Sequence, residues 1–214
     1  MSALYGEISQ WLQKGRAPKV RELVRQAIDE GCPAQEILKE GLMAGMNVVG
    51  EKFKNNEVFV PEVLVAARAM KMGAEELKPY LGGQTQASGT VVLGTVQGDL
   101  HDIGKNLVRI MLEGRGLEVV DLGVDVSPQQ FYDAAVAHHA DAVCLSALLT
   151  TTMGVMRQTV ELFNQTGLHD TVKIMIGGAP VTQQYCDEIG ADIYTSDAAS
   201  AAQAAADLCV RKAG

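Results

Sequence analysis

No stretch of this 214-residue sequence approaches the roughly 18 to 20 consecutive apolar residues of a membrane span, although 47% of its residues are hydrophobic. Nor does it open with a charged segment followed by an apolar one, the pattern of a secretion signal. The expectation is a soluble, unexported chain that works in the cytoplasm. Cysteine is sparse: Cys32, Cys144, Cys186 and Cys209 lie far apart and form no CxxC pair. That spacing argues against a disulfide framework or a zinc site and suits a reducing compartment. Cys144 falls inside an apolar run, where a free thiol behaves as a small hydrophobe. Positive charge is short in one half. Residues 1–84 hold 11 Lys and Arg against 11 Asp and Glu, so residues 85–214 carry the whole net charge of −8. With no basic stripe to neutralise phosphates, nucleic acid is excluded as a partner.

What is present divides into two periodicities. Before the segment Gly82–Gly89, which is polar, Gly-rich and reads as a linker, apolar residues recur at helical spacing. Leu42, Met46, Val49 and Phe53 form one stripe, and Val63, Ala67, Met70, Ala74 and Leu77 form another. Shorter stretches around Leu4–Leu12 and Val20–Ile28 repeat the pattern, and Pro33 suits a first helical turn. Residues 1–84 are therefore expected to fold as a four-helix bundle. After the linker, Thr90–Val96, Leu117–Leu122, Ala142–Leu145, Val172–Ile176 and the weaker Ile193-Tyr194 read as strands buried on both faces. Helical stretches alternate with them at about 104–115, 128–139 and 154–166, with a last one over Ala198–Val210. Residues 85–214 are expected to form an α/β domain with a doubly wound parallel sheet of Rossmann or flavodoxin type. Ligands of such sheets sit beyond the carboxyl ends of the strands.

The first such strand end carries Gly98-Asp99-Leu100-His101-Asp102-Ile103-Gly104-Lys105-Asn106. A phosphate-binding P-loop is the obvious competitor, and it fails twice. Five residues separate Gly98 from Gly104 where four are needed, and Asn106 stands where a Ser or Thr would bind magnesium. Two acids beside a histidine would also repel phosphate, and no GxGxxG occurs. Asp99 and His101 are close enough for the carboxylate to hold one imidazole nitrogen, which fixes the tautomer and aims the other nitrogen outward as a metal ligand. The alternative at this point is a histidine that merely caps the next helix. One histidine cannot cage a metal ion, but it can supply one axial bond to a metal already held by a macrocycle. His138 and His139 are adjacent on a helical stretch and point apart, so they read as solvated surface; His169 lies in a loop without further signal.

Asp99-x-His101-x-x-Gly104, then Ser146-x-Leu148 after 41 residues, then Gly177-Gly178 after 28 more, resembles the signature of cobalamin-binding domains of methionine synthase and corrinoid methyl-carrier proteins. Upstream, Met46-Asn47-Val48-Val49-Gly50, Phe53 and Phe59-Val60-Pro61 resemble the helical cap of the same proteins. The resemblance implies a bound cobalamin, carrying a methyl group as methylcobalamin, with its nucleotide tail displaced from cobalt into a slot through the α/β domain. His101 would be the lower cobalt ligand, Asp99 its hydrogen-bond partner, and Thr152 the hydroxyl continuing the relay, where the family often has Ser. Gly98, Leu100, Asp102, Ile103 and Gly104 would complete the ligand loop. Ser146, Leu148, Thr150, Gly177, Gly178 and Ala198 would line the cofactor site, and Phe53, Phe59, Val60 and Val63 would belong to the cap.

It also implies a carrier subunit with little activity alone. A donor-specific methyltransferase would demethylate a C1 donor (methylamine, betaine, methanol or an aryl methyl ether) onto cobalt. A second methyltransferase would pass the methyl to tetrahydrofolate or coenzyme M, and a reductive activase would keep the cobalt usable. Two other classes use such a domain: a cobalamin-binding sensor that gates a transcription regulator, and the small subunit of an adenosylcobalamin mutase. The first needs a basic recognition helix that residues 1–84 lack, and the second usually lacks a Phe-containing cap.

Overall fold

A computed structural model of the chain describes residues 3–81 and 89–212. The expected linker falls almost wholly on residues 82–88 and so lies outside them. The chain divides into two compact units, Met1–Gln86 and Ala87–Gly214.

The first unit is helical. Its elements are α1 (Ala3–Gln13), α2 (Ala17–Asp29), α3 (Ala34–Glu36), a π-helical stretch (Ile37–Met43), α4 (Ala44–Lys54) and α5 (Val60–Leu77). Since α3, the π stretch and α4 run on without a break, they make one rod and the unit has four helical rods. The rods form because Leu4, Ile8 and Leu12, then Val20, Leu23, Val24 and Ala27, repeat at helical spacing and are all buried. Leu42, Met46 and Val49 are buried as expected, with Phe53 half-buried at the end of that stripe. On α5 the buried face is rotated from the expected one. Ala66, Ala69 and Gly73 are buried beside Val63, Met70 and Leu77, whereas Ala67 and Ala74 are only partly covered. Small residues win those positions because neighbouring side chains press close: a Cβ on Gly73 would lie 2.7 Å from Leu42 Cδ2. Arg21 and Arg25 of α2 both pair with Glu76 of α5, the latter at 2.6 Å.

The second unit is an α/β layer structure. Five strands, β1 (Thr90–Thr95), β2 (Glu118–Asp121), β3 (Ala142–Ser146), β4 (Lys173–Gly177) and β5 (Ile193–Tyr194), pair in parallel in the order β2-β1-β3-β4-β5. Helices α6 (Ile103–Gly114), α7 (Pro128–Ala137), α8 (Met153–Thr166), α9 (Gln183–Ile189) and α10 (Ala198–Lys212) connect or follow them. This is the flavodoxin-type winding, whose direction reverses between β1 and β3, and ligands of such sheets gather at that reversal. Val92, Val143, Leu145, Ile174 and Ile176 are buried from the sheet against Phe131, Met156, Val160 and Phe163. The strand limits differ by a residue or two from those read in the sequence. Helix α9 was not anticipated, although Thr182 caps it by accepting the Tyr185 N–H at 3.2 Å and Gly190 ends it at φ +75°.

Register places the site. Thr95, Ser146 and Gly177 stand side by side at the carboxyl ends of β1, β3 and β4. Everything the chain does next on that edge begins from this row.

Candidate functional site

Beyond Thr95 the chain turns through Gly98, at φ +82°, into the segment that carries Asp99 and His101. Asp99 is fully buried, and each of its oxygens is spoken for. Oδ1 lies 2.9 Å from His101 Nδ1 and accepts the His101 backbone N–H at 3.1 Å. Oδ2 accepts the N–H groups of Leu148 at 2.7 Å and Leu149 at 3.1 Å, and lies 3.0 Å from Thr152 Oγ1. Burial alone would raise this carboxyl's pKa, but the donors of Leu148, His101 and Leu149 outweigh it and hold Asp99 well below the usual carboxylate range. An ionised carboxylate accepts, so the proton shared with the ring belongs to Nδ1, and Nε2 keeps its lone pair. The His101 side chain remains 55% exposed, leaving that nitrogen open to a ligand.

Thr152, also buried, has one hydroxyl proton and two acceptors, Asp99 Oδ2 and the Leu149 carbonyl at 2.8 Å. Asp99 thus ties the loop after β1 to the loop after β3 across the point where the winding reverses. Around His101 lie exposed apolar side chains, Leu100 at 72%, Ile103 at 78%, Leu148 at 42% and Leu149 at 41%. Apolar groups left uncovered together at a strand end mark a surface made for a ligand or partner. Behind them, Gly178 backs directly onto β3: a Cβ there would fall 1.8 Å from the Ala147 carbonyl oxygen, at φ +132°. Ser146 and Gly177 are partly open beside it, Thr150 is exposed, and Ala198 is buried at the start of α10. Asp102 anchors the first turn of α6 by accepting from Asn106, while Gly104 is exposed.

Of the residues expected in a cap, Phe59 is 64% exposed and Val60 partly so, whereas Val63 is wholly buried in its helical unit, where it serves packing. Among the described residues no cluster of three or more His, Cys, Asp or Glu side chains is placed to hold a metal ion, so His101 offers a metal one bond and no cage. His169, silent in the sequence, bridges Asn164 and Asp192 at 2.7 Å each at the opposite end of the sheet and is fully engaged there. Reading the sequence also missed Lys105. This lysine is nearly fully buried and grips both oxygens of Asp121 at 2.6 and 2.7 Å. Burial would raise the Asp121 pKa; Lys105 and the Gly123 N–H instead lower it.

Known proteins match this arrangement from end to end. A B12-binding domain model matches residues 89–206, and a second B12-binding domain model matches residues 4–78. The chain belongs to the B12-binding corrinoid proteins. It is 42% identical over 209 residues to dimethylamine corrinoid protein 3 of Methanosarcina acetivorans, covering 97% of this chain and 98% of that one. It is 45% identical over 184 residues to trimethylamine corrinoid protein 2 of the same organism, covering 85% of each. A chain in the crystal structure of the methanol:cobalamin methyltransferase complex from Methanosarcina barkeri superposes with a TM-score of 0.87 at 30% identity, covering 98% of this chain and 80% of that one. The corrinoid protein's cofactor is a cobalamin, and its function is that of a methyl carrier in a methyltransferase system. The residues present fit that group: one outward imidazole nitrogen that would bind cobalt, and exposed apolar side chains of Leu100, Ile103, Leu148 and Leu149 that would rim a macrocycle. No described helix is long and apolar enough to cross a membrane.

Proposed function

We propose that this corrinoid protein carries methyl groups from a methylated amine, with His101 as the residue that would ligate cobalt through Nε2. The Asp99–His101 pair carries the reading, because a buried carboxylate on Nδ1 turns Nε2 into a fixed, outward-facing donor. When bound, the cobalamin supplies a cobalt atom that takes up a methyl group and gives it away. The chain's own residues do the rest. Asp99 holds the ring's tautomer and orientation, and the amides of Leu148 and Leu149 keep Asp99 ionised. The Thr152 proton can turn toward Asp99 or toward the Leu149 carbonyl, which adjusts how strongly the carboxylate pulls on the His101 ring. With Nδ1 held by Asp99, Nε2 is the ring atom that would bind cobalt or, without it, take up a proton. Leu100, Ile103, Leu148 and Leu149 would cover apolar faces of the corrin and exclude water. Gly98, Asp102 and Gly104 shape the ligand loop, while Ser146, Thr150, Gly177, Gly178 and Ala198 would line the slot for the tail.

The partners follow from the donor. An amine-specific methyltransferase loads the carrier, a second methyltransferase unloads it to tetrahydrofolate or coenzyme M, and a reductive activase completes the system in the cytoplasm. The dimethylamine and trimethylamine relatives, at 42% and 45% identity, favour an amine over methanol, whose complex matches at 30%. Two measurements test the proposal. His101→Ala should shift the absorption of the bound cobalamin, and an unchanged spectrum removes His101 as ligand. Purified methyltransferases for dimethylamine, trimethylamine and methanol should methylate the carrier fastest from an amine; methanol as the best donor overturns the donor class.

A further inference from the structure

The loop from Leu122 to Val126 is knitted to the end of β1 by main-chain bonds. Leu122 N–H donates to Leu93 O at 2.8 Å, Thr95 N–H to Gly123 O at 2.9 Å, and Val126 N–H to Thr95 O at 3.0 Å. Two further bonds reach past β1 to the ligand loop itself. The backbone N–H of Asp125 donates to Asp99 O at 3.1 Å, and the carboxylate Oδ1 of Asp125 accepts the Gly98 N–H at 2.7 Å. To do this Asp125 adopts φ +58°, a left-handed conformation that a non-glycine residue takes up at a cost. Gly98, at φ +82°, is the pivot from which Asp99 and His101 depart, and its other side faces Thr152: a Cβ on Gly98 would sit 3.4 Å from Thr152 Cγ2. The other end of the same loop is moored by Asp121, which accepts the Gly123 N–H at 3.0 Å and the buried Lys105 ammonium.

We infer that Asp125 is a positioning residue for cobalt ligation: its carboxylate fixes the Gly98 pivot and thereby the aim of His101. This rests on the reading of His101 as the ligand. Asp125 touches neither the His101 ring nor the Asp99 carboxylate, and it acts only through the backbone between them.

The test is a double-mutant cycle read by absorption titration of the full apo chain with cobalamin. Asp125→Gly, with Asp125→Asn as its control, accommodates the left-handed φ and keeps the main-chain bond to Asp99, so it removes the carboxylate without breaking that bond. It should weaken cobalamin binding about three- to tenfold, the worth of one hydrogen bond to a backbone amide. Asp125→Asn retains an acceptor oxygen and tolerates φ +58°, so it should bind as the unmodified chain does. In a His101→Ala background, Asp125→Gly should cost nothing further, because there is no ring left to aim. The inference is overturned if Asp125→Gly binds normally, if Asp125→Asn loses as much as Asp125→Gly, or if the loss persists undiminished without His101. A His101→Ala protein with an unaltered cobalamin spectrum removes the ligand reading first and this inference with it.

Discussion

Asp99→Asn exchanges one carboxylate oxygen for an NH2 group in a pocket whose other members donate. The Leu148 and Leu149 N–H groups belong to the main chain and cannot turn away, so the Asn carbonyl keeps the Oδ2 position, 2.7 and 3.1 Å from them. The NH2 then faces His101, where the backbone N–H at 3.1 Å loses its acceptor and the ring nitrogen at 2.9 Å meets a donor. The ring can respond by accepting on Nδ1, which moves its proton to Nε2 and leaves no lone pair for cobalt. Charge-assisted bonds are worth about 1.5–3 kcal/mol each, so losing one and weakening the rest should destabilise the apo fold by about 2–4 kcal/mol. The pH dependence has a definite sign. Asp99 is held below its ordinary value of 3.8, so its contribution is present above that pH and is lost as acid titrates the folded carboxylate. Urea denaturation of both proteins should therefore show a gap that narrows as the pH falls below about 4. The other lowered acids, Asp121 and Asp192, cancel in that difference. Nitrogen NMR of the His101 ring reads the tautomer directly, and the cobalamin spectrum reads the ligation. An Asp99→Asn protein with Nδ1 still protonated and the unmodified spectrum would refute the reasoning, as would a stability gap that widens in acid.

Three further outcomes follow from other parts of the chain. Gly178→Ala should destabilise the fold by more than about 2 kcal/mol in a urea titration, since the new methyl would fall 1.8 Å from a backbone oxygen at φ +132°. A near-neutral change would mean that β4 relaxes away from Ala147 freely. Lys105→Met leaves Asp121, which is only 26% exposed, with the Gly123 N–H and the more distant Arg109 guanidinium, and should cost about 1–3 kcal/mol, less than a fully buried pair would. In an Asp121→Asn background the same change should cost measurably less, and equal costs would deny the coupling. Alkylation of the native protein followed by mass spectrometry should modify the partly exposed Cys32 well before Cys144, whose buried thiol is pushed up to about 12. Comparable labelling rates would show that β3 opens far more readily than its burial implies.

The parts of this fold that were legible in the sequence are those that residue type constrains. Strands covered on both faces demand runs such as Val91-Val92-Leu93, Ala142-Val143-Cys144-Leu145 and Ile174-Met175-Ile176. At the candidate site, the Asp99 and His101 pairing was legible from its spacing, whereas Thr152 and Gly178 entered only through the resemblance to cobalamin-binding domains. What escaped was carried by groups that many residues supply. On α5, a stripe scored by apolar bulk points to Ala67 and Ala74, yet close approach buries Ala66, Ala69 and Gly73 instead. Asp125 and Lys105 look in the sequence like ordinary surface charges, because the Asp125 bond depends on how the loop after β2 lies along β1, and the Lys105 pair on how α6 packs beside the end of β2. The clearest case is Leu148 and Leu149. Their side chains are exposed, but their N–H groups are among the donors that lower the Asp99 pKa, beside those of His101, and every residue except proline has that group. The requirement at those two positions is therefore the absence of proline, a constraint with no visible signature until the carboxylate that needs the donors has been found.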